Sequence, residues 1–252
     1  MVAITEGSFM AQPETTRSIL QVTGADRTNF LQNLVTNDIT KSGLTYTALL
    51  TPQGKYLADF FVLVRDDDVL IDVAEQLSPA LKTRLIMYRL RADIQVNNME
   101  LDVSCGLGKP PTGAFNDPRH KALGWRHYGV SSTDTIDWAE LRVEHLIPET
   151  GIELEAGKFI LEMGFEHLNG VDFKKGCYVG QEITARMKHK ATLKKGLVQV
   201  KIFGSVDPGT PIIANGRPAG IIYTQSGGRA LAYLRFDRIV EPMTANDAKI
   251  TL

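Results

Sequence analysis

The chain has 252 residues, with 28 basic and 29 acidic side chains and a formal net charge of −1. That length supports one large domain or two to three small ones around a real core. Near-neutral charge gives no global pull toward nucleic acid or anionic membrane, and two distant cysteines, Cys105 and Cys177, make neither a disulfide framework nor a cysteine metal site, which fits a reducing compartment.

A disulfide between those two stays open at this level. The first ten residues, MVAITEGSFM, carry no basic segment and no apolar h-region, so no secretory signal is expected. The most apolar stretch, residues 60–64, is far too short to span a bilayer. The expectation is a soluble cytoplasmic protein with no membrane partner.

Residues 18–22 (SILQV) read as a strand. A helix follows, with Asp26 placed to cap it and Phe30, Leu31, Leu34 and Val35 as its apolar face. Residues 45–50 and 56–64 read as strands joined by the turn TPQGK. Asp66, Asp67 and Asp68 read as a solvated turn, because the run lacks the glycine and later ligands of a calcium loop. Residues 69–73 form the next strand. Ser78 and Pro79 open a helix whose stripe is Leu81, Leu85, Ile86 and Leu90. Residues 92–96 and 101–103 return as strands, giving a mixed α+β unit.

Residues 106–118 are rich in Gly and Pro and read as a loop. Residues 122–130 suggest a strand. Residues 131–134 can cap a helix that runs to about His145 and is closed by Pro148. Residues 156–166 suggest a short helix. From residue 197 onward, short β runs separated by Gly, Asn and Asp turns indicate an antiparallel module, read as a barrel.

The densest chemistry lies in NGVDFKKGCYVGQEITAR, residues 169–186. Lys175, Gly176, Cys177, Tyr178, Gly180, Gln181 and Glu182 fall within eight positions. A nearby ammonium favours a thiolate, so Lys175 beside Cys177 suits a reactive thiol. The alternative is a small buried inert cysteine.

This stretch resembles the signature of the YgfZ-type folate-binding proteins, relatives of the glycine cleavage T-protein (aminomethyltransferase) that include an iron–sulfur assembly factor branch. GADRTNFLQNLVTNDI and LTPQGKYLADF carry the same resemblance. It implies an α+β fold of three lobes around a central folate channel, with a C-terminal antiparallel β-barrel. The first lobe would comprise residues 1–44 and 115–190, the inserted lobe 45–114 and the barrel 191–252.

The resemblance implies tetrahydrofolate as cofactor, bound by Asp26, Trp138, Glu144, Tyr178, Gln181 and Arg186, with Cys177 and Lys175 as the reactive pair. On residue type and spacing alone Asp26 reads first as an N-cap and Trp138 as a core residue. Glu144 continues as His145-Leu146, where T-proteins have Ala-Gly. The basic run from Arg186 to Lys195 is either a solvated linker or a rim for the polyglutamate tail.

The implied function is an accessory role in iron–sulfur cluster assembly or repair, with assembly or recipient proteins as partners. A bound cluster is poorly supported, since Cys177 alone cannot supply the thiolate set. One alternative is a folate-dependent aminomethyl or methyl transferase; against it, Asp59 is preceded by Ala58 where the T-protein has an acidic pair. The other is folate-linked tRNA modification, supported in the sequence by the basic run alone.

Overall fold

The computed structural model describes residues 16–129, 136–190 and 192–252. β1 (Arg17–Thr23) is followed by α1 (Arg27–Gln32), β2 (Leu44–Leu50), β3 (Tyr56–Val64), β4 (Val69–Ala74), α2 (Ser78–Tyr88) and β5 (Gln95–Met99). The five strands form one antiparallel sheet in the order β2-β3-β4-β1-β5. β1 lies between β4 and β5, so the partition expected at residue 45 runs through this sheet.

β4 is buried at every position, because both faces of the sheet are covered. On one face Leu20, Val22, Phe60, Val62 and Ile71 pack with Leu31 of α1 and Leu81 and Leu85 of α2. On the other, Tyr46, Ala48, Leu50, Tyr56 and Phe61 enter a second core. The alternation follows the two-residue period of a strand. Each large side chain so buried stabilises by about 1.5–3 kcal/mol.

α2 differs from the sequence expectation in two ways. Ser78 is not a cap: its hydroxyl lies 2.9 Å from Ser18 Oγ, and no side chain caps this helix. Leu81 and Leu85 are buried, but Ile86 and Leu90 face solvent. The helix ends at Tyr88, and Leu90 takes a left-handed φ of 47° that turns it outward. The acidic turn is not wholly solvated either, since Asp68 is buried against Arg65 at 2.6 Å.

β6 (Val103–Gly106), β7 (Phe115–Asn116) and β8 (Trp125–Tyr128) form a small sheet in the order β6-β8-β7. β8 is shorter than the expected strand because residues 121–123 make a 3-10 turn ending at Gly124, φ 63°. Asp72 on β4 ties the two sheets together. It accepts from Arg17 Nε at 2.6 Å, Arg126 Nη2 at 2.9 Å and the Tyr128 hydroxyl at 3.1 Å. The Arg126 guanidinium also lies 4.0 Å from the Phe61 ring centre.

α3 (Trp138–His145) is capped by Asp137, whose carboxylate accepts from the Glu140 N–H at 2.9 Å. The cap expected at 131–134 lies outside the described residues. Residues 156–166 form turns in place of the expected helix. The first part of the basic run left as a linker or a rim lies in a helix, α4 (Gln181–Lys190).

β9 (Lys195–Phe203), β10 (Pro211–Ala214), β11 (Arg217–Ser226), β12 (Arg229–Arg235), β13 (Met243–Ala245) and β14 (Ala248–Thr251) close into a barrel in the order β10-β11-β12-β9-β14-β13. Asn215 and Gly216, φ 47° and 70°, make the tight β10–β11 hairpin. β13 and β14 join at Asn246-Asp247, a turn the sequence reading passed over.

Candidate functional site

Three segments distant in sequence meet at the signature. Its first part is pinned to the loop after α1. Thr36 Oγ1 donates to the Gly170 carbonyl at 2.7 Å, Asn37 Nδ2 to the Asn169 carbonyl at 2.7 Å, and the Asp172 N–H to the Thr36 carbonyl at 3.0 Å. Lys41 pairs with Asp172 at 2.6 Å.

Lys175 completes this anchor. Its ammonium donates to the carbonyls of Gln32 at 2.7 Å, Val35 at 2.6 Å and Asn37 at 2.9 Å. Carbonyls left unpaired at a helix end attract a cation. Burial pushes this ammonium down to about 8, against Asp38 and Asp172, which act to raise it. All three N–H donors are committed to the backbone, so none is left to hydrogen-bond the thiol.

The second anchor is glycine on glycine. Gly180 has φ 84°, and a Cβ there would lie 2.7 Å from the Thr51 carbonyl oxygen and 3.1 Å from the Gly54 Cα. Only glycine lets the β2–β3 turn approach this closely. Gly176 differs: nothing lies within 4 Å of where its Cβ would be.

Cys177 stands between the two anchors, exposed, and it forms no disulfide with Cys105. Gln181 opens α4 and donates to the Gly176 carbonyl at 3.4 Å, bracing the turn that carries the thiol. Tyr178 points the other way, 8% exposed, into the central core. Burial pushes its hydroxyl up to about 12.

That core lies among the large sheet, α3 and the barrel. Trp138, 8% exposed, packs in it with Tyr46, Tyr56, Tyr223 and Tyr233. Asp59 is buried beside it and accepts from the hydroxyls of Tyr46 at 3.0 Å, Tyr56 at 2.5 Å and Thr150 at 2.5 Å. Arg142 sits one turn after Trp138 on the buried side of α3. It pairs with Glu149 at 3.1 Å through Nη1, while its Nε is buried with no partner among the described residues. The sequence reading missed Arg142; its spacing of four from Trp138 was the available signal.

The remaining expected residues lie elsewhere. Glu144 is exposed, and its carbonyl accepts from Gln199 at 3.3 Å. Asp26 is exposed and makes no cap; its carboxylate accepts from the Asp93 N–H at 2.8 Å, next to β5. Arg186 is exposed and pairs with Glu182 at 3.0 Å, while Lys188 pairs with Glu166.

The C-terminal residues 194–252 match the family model described as the C-terminal beta-barrel domain of CAF17. The chain is 29% identical to the mouse iron–sulfur cluster assembly factor IBA57, mitochondrial, over 90% of its own length and 78% of the relative's. The human protein of that name is 28% identical over the same shares. The Mycosarcoma maydis homologue is 27% identical over 81% of this chain, which spans only 60% of that relative. The fold matches aminomethyltransferase T of the glycine cleavage system from Bartonella henselae, with a TM-score of 0.71 and 13% identity over 93% of this chain and 81% of that one.

The α+β fold with its closed barrel therefore stands as expected from the resemblance. The cytoplasmic expectation does not. The relatives are named as mitochondrial, which speaks against it. A compartment is set by a targeting segment that the fold does not need, so the composition of the globular part carries no information about it.

Proposed function

We propose that the chain, similar to the iron–sulfur cluster assembly factors and sharing the fold of aminomethyltransferase T, is an accessory protein of cluster assembly or repair that binds tetrahydrofolate in its central core. The observation that carries the reading is Cys177, exposed on a segment anchored on both sides, at Lys175 and at Gly180. A thiol held in this way suits recognition of an assembly or recipient protein, because little ordering remains to be done on contact.

On this reading the central core takes a folate ring. Trp138 and Tyr178 offer aromatic faces, and the unpartnered Arg142 Nε supplies a donor for a ring acceptor. Trp138, Tyr178 and Arg142 would hold the cofactor, and Gln181 would shape the rim. When bound, tetrahydrofolate supplies one-carbon chemistry. Glu144 and Asp26, exposed and apart from this core, are left out of the proposed pocket.

The transferase reading is less favoured. Asp59 already accepts three hydroxyl hydrogens, so it is poorly placed to take a substrate proton. The tRNA reading loses support too, since Arg186 and Lys188 are paired with carboxylates.

The test is rescue of a cluster-dependent enzyme under oxidative stress, in cells lacking their own copy of this factor. Wild type is expected to rescue and Cys177→Ala to fail. Absence of rescue by a folded wild-type chain would sink the assembly role. Saturable quenching of tryptophan fluorescence by tetrahydrofolate, reduced in Trp138→Phe, tests the pocket separately.

A further inference from the structure

The outer end of α2 carries a patch that neither the core nor the proposed site uses. Ile86, Met87 and Leu90 are 46%, 70% and 88% exposed. Ile86 and Met87 lie in the last turn of α2, and Leu90 follows within two residues of its end at Tyr88, on a left-handed φ of 47°. The buried residues of α2, Ser78, Leu81 and Leu85, belong to its other side.

Arg84, Arg89 and Arg91 flank these side chains. Among the described residues none of the three guanidiniums has a hydrogen bond or an ion pair. Asp93, the nearest carboxylate along the chain, is engaged with the Ala25 N–H at 3.2 Å, and Lys82 donates to Asn98 at 2.8 Å. Single exposed apolar residues are ordinary on a protein surface. Three together, ringed by three unpaired cations on a chain of net charge −1, have the composition of an interfacial contact.

We propose that this end of α2 is a peripheral contact for an anionic lipid surface. The guanidiniums meet headgroup phosphates, which they can bind with two N–H donors each. Ile86, Met87 and Leu90 enter the headgroup–acyl boundary. A bilayer yields around exposed apolar side chains, whereas a protein partner would need a surface matched to them. The contact needs no spanning segment, and among the described residues no helix is long and apolar enough to cross a membrane.

The experiment is co-sedimentation of the full chain with phosphatidylcholine vesicles, with and without phosphatidylglycerol. Each arginine near an anionic leaflet strengthens partitioning by roughly fivefold, so the anionic vesicles are expected to bind on the order of 100-fold more tightly, and less so in high salt. Met87→Ser with Leu90→Ser is expected to lose that binding, as is the triple change of Arg84, Arg89 and Arg91 to Gln. Most of these positions are exposed, and unchanged melting of the variants checks that they fold.

Equal binding to both vesicle types, no binding, or unaltered binding by the variants would overturn the proposal. Capture by immobilised polyglutamate with no vesicle binding would also overturn it and assign the patch to an acidic protein.

Discussion

The Lys175 ammonium lies 2.6 Å from the carbonyl oxygen of Val35, at the exit of α1, and reaches two further carbonyls beside it. The lysine that precedes the signature cysteine therefore works on the backbone of a segment about 140 residues earlier. Lys175→Met should lower stability by about 2–4 kcal/mol, because three carbonyls lose a charged donor. Lys175→Arg should rescue little, since a planar fork cannot point at three converging oxygens. Urea midpoints decide this; a midpoint equal to wild type in Lys175→Met would remove the anchoring role.

The two signature glycines should respond oppositely to one added methyl. Gly180→Ala meets the Thr51 carbonyl at a left-handed φ and should cost about 2 kcal/mol or more. Gly176→Ala enters open space and should change stability by less than about 0.5 kcal/mol. Thermal melts of the pair check this. A stable Gly176→Ala chain that fails in the rescue assay would assign Gly176 to the approach of a partner.

Asp72 predicts how the fold fails in acid. Burial pushes its carboxyl up, but Arg17 and Arg126 outweigh burial and hold it below the usual carboxylate range. The carboxylate's contribution is therefore present at neutral pH and lost as pH falls through the depressed value, below about 4. Asp72→Asn should cost about 3–5 kcal/mol at neutral pH by leaving buried guanidiniums uncompensated. It should also flatten the acid limb, which denaturant midpoints across that range would reveal.

A second pH response comes from a histidine group near the signature. The rings of His120 and His145 stack at 4.4 Å, and His167 lies 6.2 Å from His120. Burial, then His145 and His167, with a smaller push from Lys121, lower His120 below its ordinary value; Asp117 opposes them. A depressed imidazole leaves stability complete above about pH 6.5 and removes it as pH falls below that. His120→Asn should weaken the loss between pH 7 and 5, and a slope equal to wild type would refute this.

Native alkylation should separate the two thiols. Cys177 is exposed and Cys105 half-buried, so iodoacetamide should label Cys177 much the faster. Peptide mapping after a short pulse reads the ratio, and comparable labelling of both would show that Cys177 is covered in solution.

Much of the architecture was legible because strand periodicity and turn chemistry are local. Residues 45–50 and 56–64 announced β2 and β3, and Asn215-Gly216 announced a hairpin. The apolar stripe of α2 misled, since Ile86 and Leu90 keep helical spacing although the chain leaves the core after Leu85. The signature's residues were visible, but their partners were not. Nothing local tells that Lys175 faces carbonyls at positions 32, 35 and 37, or that Asp26 reaches residue 93. Those are contacts of high sequence separation, and only the assembled sheet creates them.

That separation has a consequence for the order of events in folding. The barrel strands pair within residues 195–251, whereas the grip of Lys175 closes a loop of 138 to 143 residues. Long loops close late, because their entropy is lost before the contacts repay it. The signature then behaves as a latch. A chain still emerging or half-collapsed holds Cys177 on a slack tether, and only the finished fold presents it in a fixed frame. A partner that reads that frame would be reading a certificate of completed folding.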